Sequence, residues 1–160
     1  MLFRSNAKAH YRRGLALTEL GRTDEALAAF DRALAINPQD AEAHSSRGVA
    51  LAQLGRTDEA LAAFDRALAI NPQDAEAHSS RGLALAKLGR TDEALAAFDR
   101  ALAIDPQDAK VHYQRGVALA KLGRIDEALA AFDRALAINP QDARAHYLRG
   151  VVLALLGRIG

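Results

Sequence analysis

Apolar and polar positions along the chain follow a helical rhythm that is interrupted at fixed intervals. In the stretch 41–74, His44, Arg47, Gly48, Leu51 and Leu54 fall three or four residues apart, the spacing of one helix face. Ala60, Leu61, Phe64, Ala67 and Leu68 form a second stripe of the same kind. Gly55 separates the two, as glycine just past a helix end does. Asn71-Pro72 closes the second stripe, because the residue before a proline is pushed out of the helical region. Asp40 suits the N-cap of the first helix. Thr57 suits the N-cap of the second, whose first turn carries Asp58 and Glu59 where the helix dipole favours negative charge. The pattern predicts a helical hairpin with helices at 41–54 and 58–71.

The hairpin recurs. The segment Gly-Arg-Thr-Asp-Glu-Ala-Leu-Ala-Ala-Phe-Asp-Arg-Ala-Leu-Ala-Ile-Asn-Pro-Gln-Asp begins at Gly21 and returns from Gly55, Gly89 and Gly123, 34 residues apart each time. Only two substitutions occur among the copies, Asp105 for asparagine and Ile125 for threonine. A strict period of this length means a stacked array in which each unit buries its apolar face on its neighbours. The expected first helices are 7–20, 41–54, 75–88, 109–122 and 143–156, and the second helices 24–37, 58–71, 92–105 and 126–139. Residues 1–6 read as a lead-in and 7–160 as one all-α array. Its units are 7–40, 41–74, 75–108, 109–142 and a partial repeat or closing helix at 143–160.

Small residues inside helices need a packing reason. Gly14, Gly48, Gly82, Gly116 and Gly150 lie within first helices, where glycine costs about 1 kcal/mol relative to alanine. Close approach of the paired second helix offsets that cost, with Ala26, Ala60, Ala94 and Ala128 expected opposite the glycines. Phe30, Phe64, Phe98 and Phe132 are the expected wedges between helices. The recurrent Arg13, Arg47, Arg81, Arg115 and Arg149 sit on or near the buried stripe and require carboxylates. Asp31, Asp65, Asp99 and Asp133 are candidates, as are the acids of a second helix's first turn.

Histidine recurs at His10, His44, His78, His112 and His146. A metal needs ligands that converge, and equivalent first helices lie at least a helix diameter apart, about 10 Å. These histidines therefore read as packing residues. Serine beside histidine, as in His44-Ser45-Ser46, is no catalytic pair, since neighbours on a helix face different ways. The chain is read as non-enzymatic, with neither cofactor nor metal.

Composition narrows the class further. Basic and acidic residues, 21 and 20, are interspersed, which argues against a nucleic-acid binder. Cysteine is absent, so disulfides and thiolate chemistry are excluded. Residues 1–6 hold no apolar run of signal-peptide length, and no stretch reaches a membrane span. A cytoplasmic location and no membrane insertion are expected.

A glycine in mid first helix, then an alanine, an aromatic, a second alanine and a proline (Gly48, Ala60, Phe64, Ala67 and Pro72 in one unit) resembles the tetratricopeptide repeat. Leu51 fits a further large position of that pattern. The resemblance spans 7–156 and departs from it at the histidines and at the arginines before the glycines. It implies a right-handed superhelical solenoid of antiparallel helix pairs, with a concave groove lined mainly by first helices. It also implies a non-enzymatic scaffold that binds peptides or proteins.

The repeats differ chiefly in their first helices. In the related family those registers face the groove, which would be lined by Lys8, Tyr11, Leu15, Glu42, Val49, Glu76, Leu83, Lys87, Lys110, Tyr113, Val117, Lys121, Arg144 and Tyr147. Glu42 and Glu76 would make the middle acidic. Lys87, Lys110, Lys121 and Arg144 would make the C-terminal part basic, a seat for acidic side chains of an extended or helical partner segment. Tyr11, Leu15, Ser46, Glu76 and Ser80 occupy the positions at which some members clamp a chaperone's terminal carboxylate. They supply no cationic fork, so that ligand is not expected. Leu148, Val151, Val152 and Leu155 give the last helix an apolar outer face, so a homodimer through it is an alternative reading. An idealised or duplicated scaffold without a dedicated ligand is another.

Overall fold

The computed structural model describes residues 2–157. Those residues form nine α-helices and no strand: α1 (Leu2–Glu19), α2 (Thr23–Ile36), α3 (Ala41–Gln53), α4 (Thr57–Ile70), α5 (Ala75–Lys87), α6 (Thr91–Ile104), α7 (Ala109–Lys121), α8 (Ile125–Ile138) and α9 (Ala143–Leu155). The helices α1, α3, α5 and α7 each pack on the even-numbered helix that follows, and each even-numbered helix packs on the odd-numbered helix after it. The odd-numbered helices α1, α3, α5 and α7 also touch in sequence, so they form one continuous layer of the solenoid.

The turns explain the period. Gly55 lies at φ 76°, a backbone region open to glycine. There its N–H donates to Ala52 O at 3.0 Å and the Arg56 N–H donates to Leu51 O at 2.9 Å. These two bonds satisfy carbonyls at the end of α3 in a Schellman motif. The next helix starts at once, because the Ala60 N–H already donates to Arg56 O. Arg56, not Thr57, is therefore the N-cap of α4, and no side chain caps it. Thr57 is the first helical residue, and Ile125 fills the same place in α8 with no hydroxyl at all. Instead Arg56 turns its guanidinium onto Glu59 at 2.6 Å.

The turns between repeats run as expected. Asp40, Asp74, Asp108 and Asp142 cap α3, α5, α7 and α9 through bonds from backbone N–H groups. Asn71 Oδ1 accepts from Gln73 N at 3.2 Å, and Asp105 does the same for Gln107 at 3.2 Å. The one sequence difference in this turn thus keeps its acceptor. Phe3-Arg4 stand in the register of Asn37-Pro38, and α1 extends back to Leu2 through the expected lead-in.

Inside each hairpin the glycine faces the phenylalanine. A Cβ built at Gly48 would lie 2.6 Å from Phe64 Cε1, and one at Gly82 would lie 2.6 Å from Phe98 Cε1. The ring, rather than Ala60 or Ala94, supplies the nearest atoms. Phe30, Phe64, Phe98 and Phe132 are each 1% exposed. Burying such a side chain contributes about 1.5–3 kcal/mol, which exceeds the roughly 1 kcal/mol cost of the glycine that makes room for it.

Between hairpins the recurrent arginines take the aspartates of the preceding repeat. Arg47 meets Asp31, Arg81 meets Asp65 and Arg115 meets Asp99, each at 2.6 Å, and Arg149 meets Asp133 at 2.5 Å. These side chains are partly exposed rather than buried. The pairs orient neighbouring repeats more than they hold the core. The histidines also bind the inter-repeat turn: Nε2–H of His44, His78 and His112 donates to the carbonyl of Pro38, Pro72 and Pro106 at 2.9 Å.

Candidate functional site

The layer of first helices bears two adjoining cavities. The first, about 840 Å³, lies between Tyr11 on α1 and Gln114 on α7. The second, about 640 Å³, continues from Val49 to Lys121. Val49, Glu76, Ser80, Leu83, Lys110 and Gln114 line both, so the two form one trough.

The trough is electrically divided. Glu42, Asp74, Glu76, Asp105 and Asp108 line the first cavity against the single cation Lys110. Lys87, Lys110 and Lys121 line the second against Glu76, over a floor of Leu83, Val117 and Tyr113.

Ten residues expected from the repeat differences meet in this trough: Tyr11, Glu42, Val49, Glu76, Leu83, Lys87, Lys110, Tyr113, Val117 and Lys121. Lys8, Leu15, Arg144 and Tyr147 line neither cavity. Lys8 and Leu15 lie exposed on α1. Arg144 reaches back so that its guanidinium carbon lies 5.0 Å from the Tyr113 ring centre, a cation–π contact at the rim. Tyr147 is 72% exposed at the far end. The tyrosines that do line the trough are held by the phenylalanine wedges: Tyr11 lies 5.8 Å from Phe30 and Tyr113 lies 5.9 Å from Phe132, centre to centre. The Tyr11 hydroxyl also shares a 3.4 Å hydrogen bond with Ser46 Oγ.

Four of the lining residues, Asp74, Asp105, Asp108 and Gln114, escaped the sequence reading, whereas Ser46 and Ser80 entered it only as positions of a carboxylate clamp. Asp74, Asp105 and Asp108 come from the inter-repeat turns and raise the acids of the first cavity from two to five. Ser46, Ser80 and Gln114 share one helical register, which changes from serine to glutamine and then to Leu148. That variation was a usable signal of the same kind as the others. The Gln114 Oε1 is buried with no hydrogen-bond partner among the described residues.

The apolar face of α9 differs from expectation at two of four positions. Val152 is 3% exposed and belongs to the core, because it occupies the register of the buried Ala50, Ala84 and Ala118. Leu148 is half-buried against the same core. Val151 and Leu155 remain exposed, at 40% and 68%.

Shifted protonation equilibria lie outside the trough, at the turns inside hairpins. Arg22, Arg56, Arg90 and Arg124 hold Glu25, Glu59, Glu93 and Glu127 below the usual glutamate range, mainly by side-chain hydrogen bonds. Among the described residues no group of three histidine, aspartate or glutamate side chains is placed to hold a metal ion. No helix there is long and apolar enough to cross a membrane.

Paired helices stacked around a trough define a helical-repeat interaction scaffold. The sequence matches the tetratricopeptide repeat family over residues 2–41, 11–75 and 46–109, and a second pattern of the same family over 85–152. The chain belongs to the tetratricopeptide repeat family, whose members are generally non-enzymatic interaction scaffolds.

Solved structures share the fold. A crystal structure of MamA superimposes with a TM-score of 0.86 at 23% identity, covering 91% of this chain and 85% of that one. MamA from Desulfovibrio magneticus RS-1, residue 41 to its end, gives 0.89 at 24% identity, covering 96% and 86%. YrrB, described as a tetratricopeptide protein with an unusual peptide-binding site, gives 0.81 at 28% identity, covering 93% and 77%. No curated protein matches the sequence.

Proposed function

We propose that the trough formed by α1, α3, α5 and α7 binds one extended or helical segment of a protein partner. The segment lies with basic side chains against Glu42, Asp74, Glu76 and Asp108, and acidic ones against Lys87, Lys110 and Lys121. Its apolar side chains rest on Val49, Leu83, Val117 and Tyr113. One observation carries the reading: the residues by which near-identical repeats differ line two joined cavities of opposite charge. The likeness to YrrB, a protein with a peptide-binding site and 28% identity to this chain, adds support.

The test is a random peptide library panned on the immobilised chain. Enriched peptides should carry a basic and an acidic cluster separated by apolar residues. Their binding should fall at least about tenfold on the triple variant Lys87→Glu, Lys110→Glu, Lys121→Glu, and should weaken as salt is raised. A library that yields nothing, or peptides that bind the triple variant equally well, would leave a scaffold with no ligand in this trough.

A further inference from the structure

The chain contains four lysines, and three of them, Lys87, Lys110 and Lys121, line the second cavity of the trough. Lys110 stands in the register of Glu42 and Glu76, and Lys87 and Lys121 in that of Glu19 and Gln53. Cations therefore stand at three places where other repeats hold an acid or a neutral amide. Among the described residues no ion pair or hydrogen bond engages any of the three ammonium groups, whereas Arg47, Arg81 and Arg115 are each paired with an aspartate. Glu76 is the one acid on that wall among the described residues, so an excess of two positive charges faces the cavity. Neutral donors join them. The Thr23 hydroxyl donates to Gln53 Oε1 at 3.5 Å. In the next two repeats the residues in register with Gln53 are Lys87 and Lys121, which accept nothing. Thr57 and Thr91, on the same cavity wall, keep their hydroxyls free to donate.

We propose that the acidic group which the partner segment places at this end of the trough is a phosphorylated serine or threonine, so that phosphorylation of the partner governs binding. The inference rests on the trough reading above and names the chemistry of one end of it. A phosphoryl group carries a charge of about −1.5 to −2 near neutral pH and presents three acceptor oxygens on one short side chain. It meets the charge excess and the three ammonium groups at once. Carboxylates would need two side chains in a cavity of about 640 Å³, each losing rotamer freedom. A planar carboxylate is also best met by the fork of an arginine, the residue this chain uses at its own aspartates. Lysine is instead a compact charge with three donors, suited to an anion approached from several sides. The acids Glu42, Asp74, Asp105 and Asp108 of the first cavity repel a phosphate and attract basic side chains. The segment is therefore basic on one side of its phosphorylated residue and not on the other.

The probe is a set of three synthetic peptide libraries panned on the immobilised 160-residue chain. They share randomised flanks and differ at a central residue, which is phosphoserine, glutamate or serine. The phosphoserine library is expected to be retained most, with lysine and arginine enriched on one flank only. A retained peptide is then made in all three forms and titrated by fluorescence anisotropy. The phosphoserine form should bind at least about tenfold tighter than the glutamate form at about pH 7.5. That advantage should shrink towards about pH 5.5, where the phosphate takes up a proton and an ordinary carboxylate does not. The titratable groups on the second cavity's wall are Lys87, Lys110, Lys121, Glu76 and Tyr113, and no histidine is among them, so the change belongs to the phosphate. The variant Lys87→Gln, Lys121→Gln should bring the phosphoserine form down to the level of the glutamate form, and Lys87→Arg, Lys121→Arg should restore the preference. Both positions are exposed, and circular dichroism checks that the variants fold. Peptides lost on Lys87→Glu, Lys110→Glu, Lys121→Glu that bind equally well as phosphoserine and glutamate forms would overturn this inference and leave the trough reading standing. A phosphoserine preference untouched by the lysine changes would also overturn it, as would free phosphoserine that binds as tightly as the peptide, in favour of a small-anion site. Three libraries that all yield nothing would overturn both readings together.

Discussion

Replacing Gly82 with alanine sets two magnitudes of opposite sign against each other. Helix propensity alone makes Gly82→Ala stabilising by about 1 kcal/mol. The structure argues otherwise. The new Cβ would stand 2.6 Å from Phe98 Cε1, 2.8 Å from Cδ1 and 3.1 Å from Cζ. Carbon atoms prefer separations of about 3.5–4 Å, so the ring must withdraw by about 1 Å. It has nowhere to go, since Phe98 is 1% exposed and Ala94 behind it is 0% exposed. Overpacking of this kind costs about 1–3 kcal/mol, and three close ring atoms place it in the upper half. The net effect is a loss of about 1–2 kcal/mol. In urea that lowers the unfolding midpoint by roughly 0.5–1 M, followed by circular dichroism. The companion Gly150→Ala meets nothing and should raise stability by up to about 1 kcal/mol. A leucine at position 98 should relieve most of the penalty of Gly82→Ala in a double-mutant cycle. A midpoint that rises for Gly82→Ala would refute the steric reasoning outright.

Three further outcomes are expected. Phe98→Ala, which empties the centre of the stack, should cost about 3–5 kcal/mol in the same unfolding assay. The Arg81–Asp65 pair, 29% and 51% exposed, should give a coupling energy below about 1 kcal/mol by double-mutant cycle, shrinking further in high salt. Glu93 has its folded pKa depressed by Arg90, so its contribution is complete above the ordinary glutamate pKa. That contribution fades as pH falls through the depressed value. The difference in melting temperature between parent and Glu93→Gln should therefore close on acidification, as thermal unfolding at several pH values would show.

The hairpins were legible because the punctuation is chemical. Gly55 supplies a left-handed turn, Pro72 forbids another helical residue before it, and Asp40 caps the helix that begins at Ala41. Where two signals compete, the sequence is less direct. Thr57 looks like a cap, yet the Schellman turn through Gly55 and Arg56 leaves no residue between the helices for it to occupy. For Arg47 the sequence left open the recurrent aspartates Asp31, Asp65, Asp99 and Asp133 and the acids of a second helix's first turn. Asp31 takes it at 2.6 Å, while Glu59 is paired with Arg56. Val152 looks like its exposed neighbour Val151, but the buried Ala50 in its register showed which way it points.

The floor of the trough could be read from registers alone, as Val49, Leu83 and Val117 show. The acids Asp74, Asp105 and Asp108 could not. Their place on the wall depends on how far each repeat tilts against the last, and no single repeat encodes that angle.

The central claim, that the faces which vary from repeat to repeat form the recognition surface, is tested most directly by nuclear magnetic resonance. Backbone amide spectra would be compared with and without a peptide selected on the intact chain. The account predicts shifts clustered at Val49, Leu83, Lys87, Lys110, Tyr113, Val117 and Lys121 on α3, α5 and α7. Shifts gathered instead on the exposed backs of the second helices, at Arg66, Ala96, Arg100 and Arg134, would contradict it.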